Sequence, residues 1–419
     1  MHILYTYIKF LIRIYMMISG RFPRPVFKFK KGTSVYPYEG LSLGFKPLKG
    51  PNKITIGVLA EEKVRKRVEK FIYNLVDGGR KFQGMERLFD VNLEVVWRFI
   101  KDIKNVGYAP GDLAGCDVVV VPLPSNMRLP DSVDYYIPLK QEFALLGIPT
   151  QMVDYSTIKN LAENRYVLFN FALNIYGKAG GVGWGLADKM ENYAYLGVDV
   201  GGGYTVVSIL VNLNSPVISW KIEYNPGVEI SVFVERPLLS ALLEAEKSTG
   251  GKLDGFIVYQ DGRAHWSEVE AVRNVYEEAR ARNILTSDSF YAFLEVRKRI
   301  TPRFIRLAKG RFYNPEKGVY FLIEENYMLL STTGYPERGI PLYYGLVRPI
   351  LVSLIDTSSW DTTVLEHGRL VYWLSQLHWG SAFYTPRLPI TTLYAHRICS
   401  FLSRGLSPPE EYYSRLWFL

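Results

Sequence analysis

The chain has 419 residues, 48% hydrophobic and 22% charged; that length can hold two or three domains with sizeable cores, and that balance excludes wholesale disorder. Two cysteines far apart, Cys116 and Cys399, exclude a disulfide framework and a cysteine-built zinc site, and fit a reducing, cytoplasmic setting. The net charge of +9 is concentrated: nine Lys/Arg against Glu39 alone give residues 1–50 a charge of +8.

In chain order, residues 3–20 (ILYTYIKFLIRIYMMISG) come first, apolar but interrupted by Lys9 and Arg13. They fall short of the ~20 clean apolar residues of a membrane span, so direct membrane insertion is not expected. Lys9 and Arg13 share one helical face, which suits an amphipathic helix docked on protein or lipid. Next, RFPRPVFKFKK (21–31) interleaves cations with aromatics and can grip phosphates, an anionic membrane or an acidic partner. Its bland reading is a solvated extension. The Pro/Gly-rich stretch VYPYEGLSLGFKPLKGPNK then reads as a linker, so residues 1–50 form a basic N-terminal extension.

Alternation follows. ITIGVLA is a buried strand, EEKVRKRVEKFIYNLVDGG a helix closed by glycines, LEVVWRFI and DVVVVPLP strands, and PLKQEFALLG a helix. This rhythm predicts a parallel sheet flanked by helices. After a Gly-rich break at 177–185 comes a second set: strands YLGVDV, TVVSILVN and ISWKIEY, the helix EISVFVERPLLSALLEAEKST, the strand GFIVYQD and the helix SEVEAVRNVYEEARAR. That is the strand and helix order of a ribonuclease-H-like sheet. The fold class is therefore α/β.

Asp199 ends the apolar run YLGVDV and Asp261 ends GFIVYQD, so both carboxylates cap strands. Glu229 opens the following helix, and His396 lies in LPITTLYAHRI. Oxygen-rich sets of this kind suit a hard divalent cation, Mg or Mn, and paired ions can drive in-line attack on a phosphodiester. The cations Arg297, Lys298, Arg299, Arg303, Arg306, Lys309 and Arg311 cluster with Glu295 alone to offset them, which suits contact with a nucleic-acid backbone. The other histidines (His2, His265, His367, His378) have no ligand spacing and are read as structural.

At LGVDV, IVYQDGR, VRKRITPRF and LPITTLYAH, in that order, the chain resembles the MID and PIWI halves of the Argonaute/Piwi family. The resemblance runs from about residue 50 to the C-terminus. It implies a Rossmann-like MID domain at 51–190 and a ribonuclease-H-like PIWI domain at 191–419. It puts Asp199, Asp261 and His396 on metal-ligand positions of the slicer site, and Glu229 on the "finger" glutamate. In YIPLK, GIPTQ and NIYGKAGG it puts Tyr136, Lys140, Gln151 and Lys178 where the family holds the 5′ end of a guide strand. The tyrosine stacks on the first base while the other three bind phosphate. Leu419, ending the apolar LWFL, would bring its carboxylate near this pocket. Asn174 departs from the lysine of many relatives, leaving the pocket less positive.

Residues 1–50 are too few for N and PAZ domains, so the resemblance implies a short, prokaryotic-type Argonaute. Such a protein binds guide and target, RNA or DNA, in defence against invading nucleic acid. It signals through a separate accessory or effector protein, which can be membrane-associated. Two readings stay open: a sensor that does not cut, which this layout favours, and a metal-dependent guide-directed endonuclease. A remote alternative is an actin-like ATPase or sugar kinase, because LGVDVGGGYT is similar to their first phosphate loop. The later half carries only isolated glycines (Gly334, Gly339, Gly345) where a second loop is needed.

Overall fold

The computed structural model describes residues 18–124, 135–188, 190–224, 226, 230–333, 345–383 and 385–419. The expected amphipathic helix with Lys9 and Arg13 lies almost wholly outside them, and so does Glu229. The basic–aromatic segment is not a solvated arm. It forms β1 (Ser19–Arg21), β2 (Phe27–Phe29) and β3 (Gly32–Ser34), and leads into the short helix α1 (Pro37–Ser42) inside the expected linker. The reason is its alternation: Phe27 and Phe29 turn inward and are buried while Lys28 between them does not, the period-two pattern of a half-buried strand.

The first sheet is built from β4 (Lys53–Glu61), followed by α2 (Arg65–Val76) and α3 (Met85–Phe89), then β5 (Asn92–Ile100), β6 (Val118–Leu123), α4 (Tyr136–Ala144), β7 (Thr150–Asp154), α5 (Tyr155–Leu161) and α6 (Arg165–Lys178). Its order is β5-β4-β6-β7, every pair parallel. Central strands of such a sheet are covered on both faces, which is why β6 reads VVVVPL and is buried throughout. Helix α2 buries Val68, Phe71, Ile72 and Leu75, spaced three and four apart on one face. The Asn164 side chain caps α6 by accepting from the Tyr166 and Val167 amides. A two-residue strand, β8 (Gly185–Leu186), pairs with β2 and ties the N-terminal segment to this region.

The second half continues with β9 (Tyr193–Gly201), β10 (Tyr204–Val211), β11 (Val217–Tyr224), α7 (Ile230–Thr249), β12 (Leu253–Asp261), α8 (Trp266–Ala281), β13 (Leu285–Arg297), β14 (Arg306–Ala308), β15 (Arg311–Tyr313), β16 (Val319–Glu324), β17 (Tyr327–Leu330), β18 (Ile350–Thr357), α9 (Val364–Gln376) and α10 (Ile390–Leu402). Nine strands make one sheet, ordered β1-β16-β17-β18-β13-β12-β9-β10-β11. Strands β9, β10 and β11 pair antiparallel, whereas β12 runs parallel to both β9 and β13. The glycine-rich run after Asp199 makes the reversal from β9 to β10: Gly202 and Gly203 both have positive φ, as two-residue hairpin turns of the primed kind require.

Alternation along β12 splits two cores. Phe256 and Val258 pack with α7 and α8 on one face; Ile257 and Tyr259 pack with α9 and α10 on the other. One contact fixes the register of α10. A Cβ added at Gly197 would come within 2.2 Å of the Thr391 carbonyl carbon, so the helix backbone lies directly on β9 there. Only a residue without a side chain permits that approach.

Candidate metal and nucleic-acid sites

Close packing of α10 on Gly197 decides what meets at the sheet's end. Two residues beyond Gly197 is Asp199; five residues beyond Thr391 is His396. On the neighbouring parallel strand, Asp261 closes β12. The three meet: ligand atoms of Asp199, Asp261 and His396 all lie within 4.8 Å of one another. His396 Nδ1 is 3.2 Å from Asp199 Oδ2 and 3.4 Å from Asp261 Oδ2. Two carboxylates with one imidazole form a donor set that fits a hard divalent cation such as Mg or Mn. The fourth expected member, Glu229, is outside the described residues.

A lysine completes this cluster. Lys298 Nζ donates to Asp261 Oδ2 at 2.6 Å and lies 3.5 Å from His396 Nε2. Expected on a nucleic-acid backbone, Lys298 instead turns into the carboxylate pair. The Arg387 guanidinium anchors it there by donating to the Lys298 carbonyl at 2.8 Å. The Cys399 thiol sits beside the same pair and donates to the Gly201 carbonyl. Burial, reinforced by the Asp199 charge, pushes its pKa up to about 12, so it stays protonated and is no thiolate ligand.

Other cations of that run are also spent internally. Arg297 pairs with Glu295 at 3.3 Å. Arg303 Nη1 closes its own loop on the carbonyls of Ile300, Thr301 and Pro302. Arg299 is exposed. A charge run in sequence overstates the free positive surface because neighbouring carboxylates and carbonyls absorb it.

The second constellation forms around α4 and the end of α6. Lys140 is buried and donates to the Thr150 carbonyl (3.2 Å) and hydroxyl (3.1 Å). Its ammonium lies 5.3 Å from the centre of the Tyr136 ring, and the Arg404 guanidinium 5.5 Å from it. Gln151, on β7, bonds the Met152 carbonyl, and its buried Oε1 has no hydrogen-bond partner among the described residues. Lys178, fully buried, donates to the main-chain oxygen of Leu419. Burial first, then the charges of Lys140 and Arg397, push the Lys178 ammonium well below its usual range. Two cations, Lys140 and Arg404, thus lie over the Tyr136 ring, and a third, Lys178, is desolvated close enough to feel the Lys140 charge. No side chain caps the first turn of α4, whose amides point the dipole's positive end into this region. Asn174, the expected departure, bonds the Asn170 and Gly380 carbonyls. Arg404 and Arg387 carried no motif, and Arg397 was passed over beside His396; they arrive from the distant C-terminal region, which only folding brings near.

A family model described as the Piwi domain matches residues 119–406. The human Piwi-like protein 3 is 22% identical over 323 residues, 72% of this chain and 34% of that protein. Protein argonaute-3 of Drosophila melanogaster is 22% identical over 278 residues, 62% of this chain and 30% of that protein. The chain thus spans about a third of the length of these curated relatives. Among solved structures, Clostridium butyricum Argonaute bound to a guide DNA and a 19-mer target DNA superposes with a TM-score of 0.75 at 21% identity, covering 97% of this chain and 55% of that one. Drosophila Piwi gives 0.76 at 14% identity, covering 96% and 56%.

Proposed function

This chain belongs to the Argonaute/Piwi family, and from that premise we propose that it binds a guide strand by its 5′ phosphate and uses that guide to recognise target nucleic acid. One observation carries the reading: Lys140 bonds Thr150, the neighbour of Gln151 on β7, lies 5.3 Å from the centre of the Tyr136 ring, and is near enough to Lys178 for its charge to lower that ammonium. A phosphate dianion there would receive two ammonium groups and an amide, and would relieve the desolvation that lowers Lys178. The first base of the guide would stack on Tyr136. Sequence choice then passes to base pairing, and the protein reads only the shape and backbone of the duplex. The test compares 5′-phosphorylated with 5′-hydroxyl oligonucleotides, RNA and DNA, by fluorescence anisotropy. We expect about tenfold or more tighter binding of the phosphorylated form, lost in Lys140→Ala; equal affinity would remove the reading.

The role proposed for this binding is a cytoplasmic one: detecting invading nucleic acid and passing the signal to an accessory or effector protein. Among the described residues no helix is long and apolar enough to cross a membrane.

A second reading is favoured by the meeting of Asp199, Asp261 and His396. A divalent cation held there would polarise a phosphodiester and activate the attacking water, making the chain a guide-directed endonuclease. The chain's own contribution is to fix the two carboxylates at adjacent strand ends and hold the imidazole over them. Lys298 opposes that use, since its ammonium already neutralises Asp261. Cleavage of a guide-matched target with Mg or Mn, abolished in Asp199→Ala, would establish it; no cleavage by either protein leaves binding alone.

A further inference from the structure

A cavity of about 810 Å³ lies at the N-terminal end of α6, the end away from Lys178, walled by the N-terminal segment, the start of α6 and the loop after α9. Its polar wall carries two cations. Lys317 Nζ bonds only neutral groups, Gln376 Oε1 at 3.4 Å and the Thr385 hydroxyl, and no carboxylate among the described residues is within ion-pairing distance of it. Arg24 lines the same cavity, with its guanidinium 2.6 Å from the Tyr36 hydroxyl and 5.6 Å from that ring's centre. Among the described residues of the lining the one acid, Glu39, is exposed. Burial, and next the Arg24 charge, push the Lys317 ammonium down to about 8, so an anion bound beside Lys317 would offset both effects.

The remaining wall is aromatic. Tyr38 packs against Phe383 at 4.8 Å and Tyr166 at 6.2 Å between ring centres, and Tyr166 meets Phe383 edge-on at 5.0 Å. Tyr166 is exposed, so its ring presents area to whatever enters. Paired cations beside stacked rings are the chemistry that recognises a phosphate joined to a flat heterocycle. The volume suits one nucleotide, within the few hundred to a thousand cubic ångströms typical of small-molecule sites.

We propose that this cavity is a second nucleotide site, taking a phosphate between Arg24 and Lys317 and a base among Tyr36, Tyr38 and Tyr166. It is separate from the guide-anchoring pocket. Tyr166 and Lys178 are twelve residues apart on one helix, about 18 Å along its axis. The occupant is a single nucleotide unit, either free or unpaired within a bound strand. The proposal goes beyond guide anchoring and stands without it.

Photo-crosslinking tests it. The full chain is irradiated with an azido-adenosine monophosphate, and separately with a 5′-hydroxyl oligonucleotide carrying one internal azido-adenosine, and labelled peptides are mapped by mass spectrometry. Label on peptides holding Tyr36, Tyr38 or Tyr166 is expected, falling about tenfold in Lys317→Gln and retained in Lys317→Arg. Labelling by the mononucleotide marks a site for free nucleotide; labelling by the oligonucleotide alone marks a site for an unpaired base of a strand. Label confined to the Tyr136 peptide, or indifferent to Lys317→Gln, overturns the proposal. Arg24→Gln repeats the measurement should Lys317→Gln fail to fold. Binding of a 5′-phosphorylated oligonucleotide, followed in the same variants, is expected to be unchanged, so failure of this site is told apart from failure of guide anchoring.

Discussion

The ammonium of Lys298 lies 2.6 Å from Asp261 Oδ2 and 3.5 Å from His396 Nε2, while the other ring nitrogen of His396 faces both carboxylates. An ammonium can only donate, so Nε2 is the acceptor here and Nδ1–H donates to the aspartates. The lysine thereby holds the imidazole in the tautomer whose Nδ1 lone pair is spent. A cation drawing on Asp199, Asp261 and His396 Nδ1 has to displace Lys298 and reverse that tautomer.

Lys298→Met should therefore tighten binding of Mn by about tenfold, read by isothermal titration calorimetry. Without metal, the same substitution should destabilise the protein by about 1–2 kcal/mol, because two carboxylates then face each other without a cation. Added Mn should restore that loss. Metal affinity that is the same in parent and variant would show that Lys298 does not compete for the site.

Gly197→Ala should cost about 3 kcal/mol or prevent folding, because the new methyl would meet the α10 backbone at 2.2 Å rather than a movable side chain. Urea denaturation measures it. A folded Gly197→Ala protein should also lose metal affinity, since lifting α10 carries His396 away from Asp199.

Lys178 is a case of function set against stability. An ammonium whose folded pKa is lowered binds fewer protons folded than unfolded between the lowered value and its ordinary 10.5. Stability therefore rises with pH across that window. Lys178→Met should melt no lower than the parent at pH 7, while losing its preference for 5′-phosphorylated strands. In the parent, phosphate binding should take up protons within that same window, seen as a calorimetric enthalpy that depends on the buffer.

Two buried histidines set the acid limb. Burial pushes His378 down to about 3 and His367 to about 4, and neither Nδ1 has a hydrogen-bond partner among the described residues. Both stay neutral in the folded protein and protonate on unfolding. Stability is then fully present above the ordinary value of 6.5 and is lost as pH falls towards 4. Each contributes a slope of up to about 1.4 kcal/mol per pH unit. Chemical denaturation from pH 7 to 5 should show the decline, and His367→Phe should flatten it.

Much of this was legible in the sequence because it is local. An apolar run ending in aspartate announces a strand end, and YIPLK, GIPTQ and NIYGKAGG single out the residues proposed here to hold a guide phosphate. Contacts made across the chain were not legible. Nothing near Lys298 says that its ammonium will turn to Asp261, 37 residues earlier, or that Arg387 will hold its backbone. The basic segment misled for a different reason. Its net charge suggested solvation, whereas the alternation Phe27–Lys28–Phe29 decides burial side by side with charge.

The pairing of Ser19–Arg21 with Val319–Phe321 has one last consequence. The outer border of a sheet offers a row of unsatisfied amides and carbonyls, a template on which another chain can add itself. Here three residues of the same polypeptide close that row, and they are too few to offer a long one in turn. Removing residues 18–34 would uncover Val319–Glu324, and the damage should show first as self-association in light scattering, before any loss of affinity for nucleic acid. The basic segment is in this sense a guard on the protein's own colloidal behaviour.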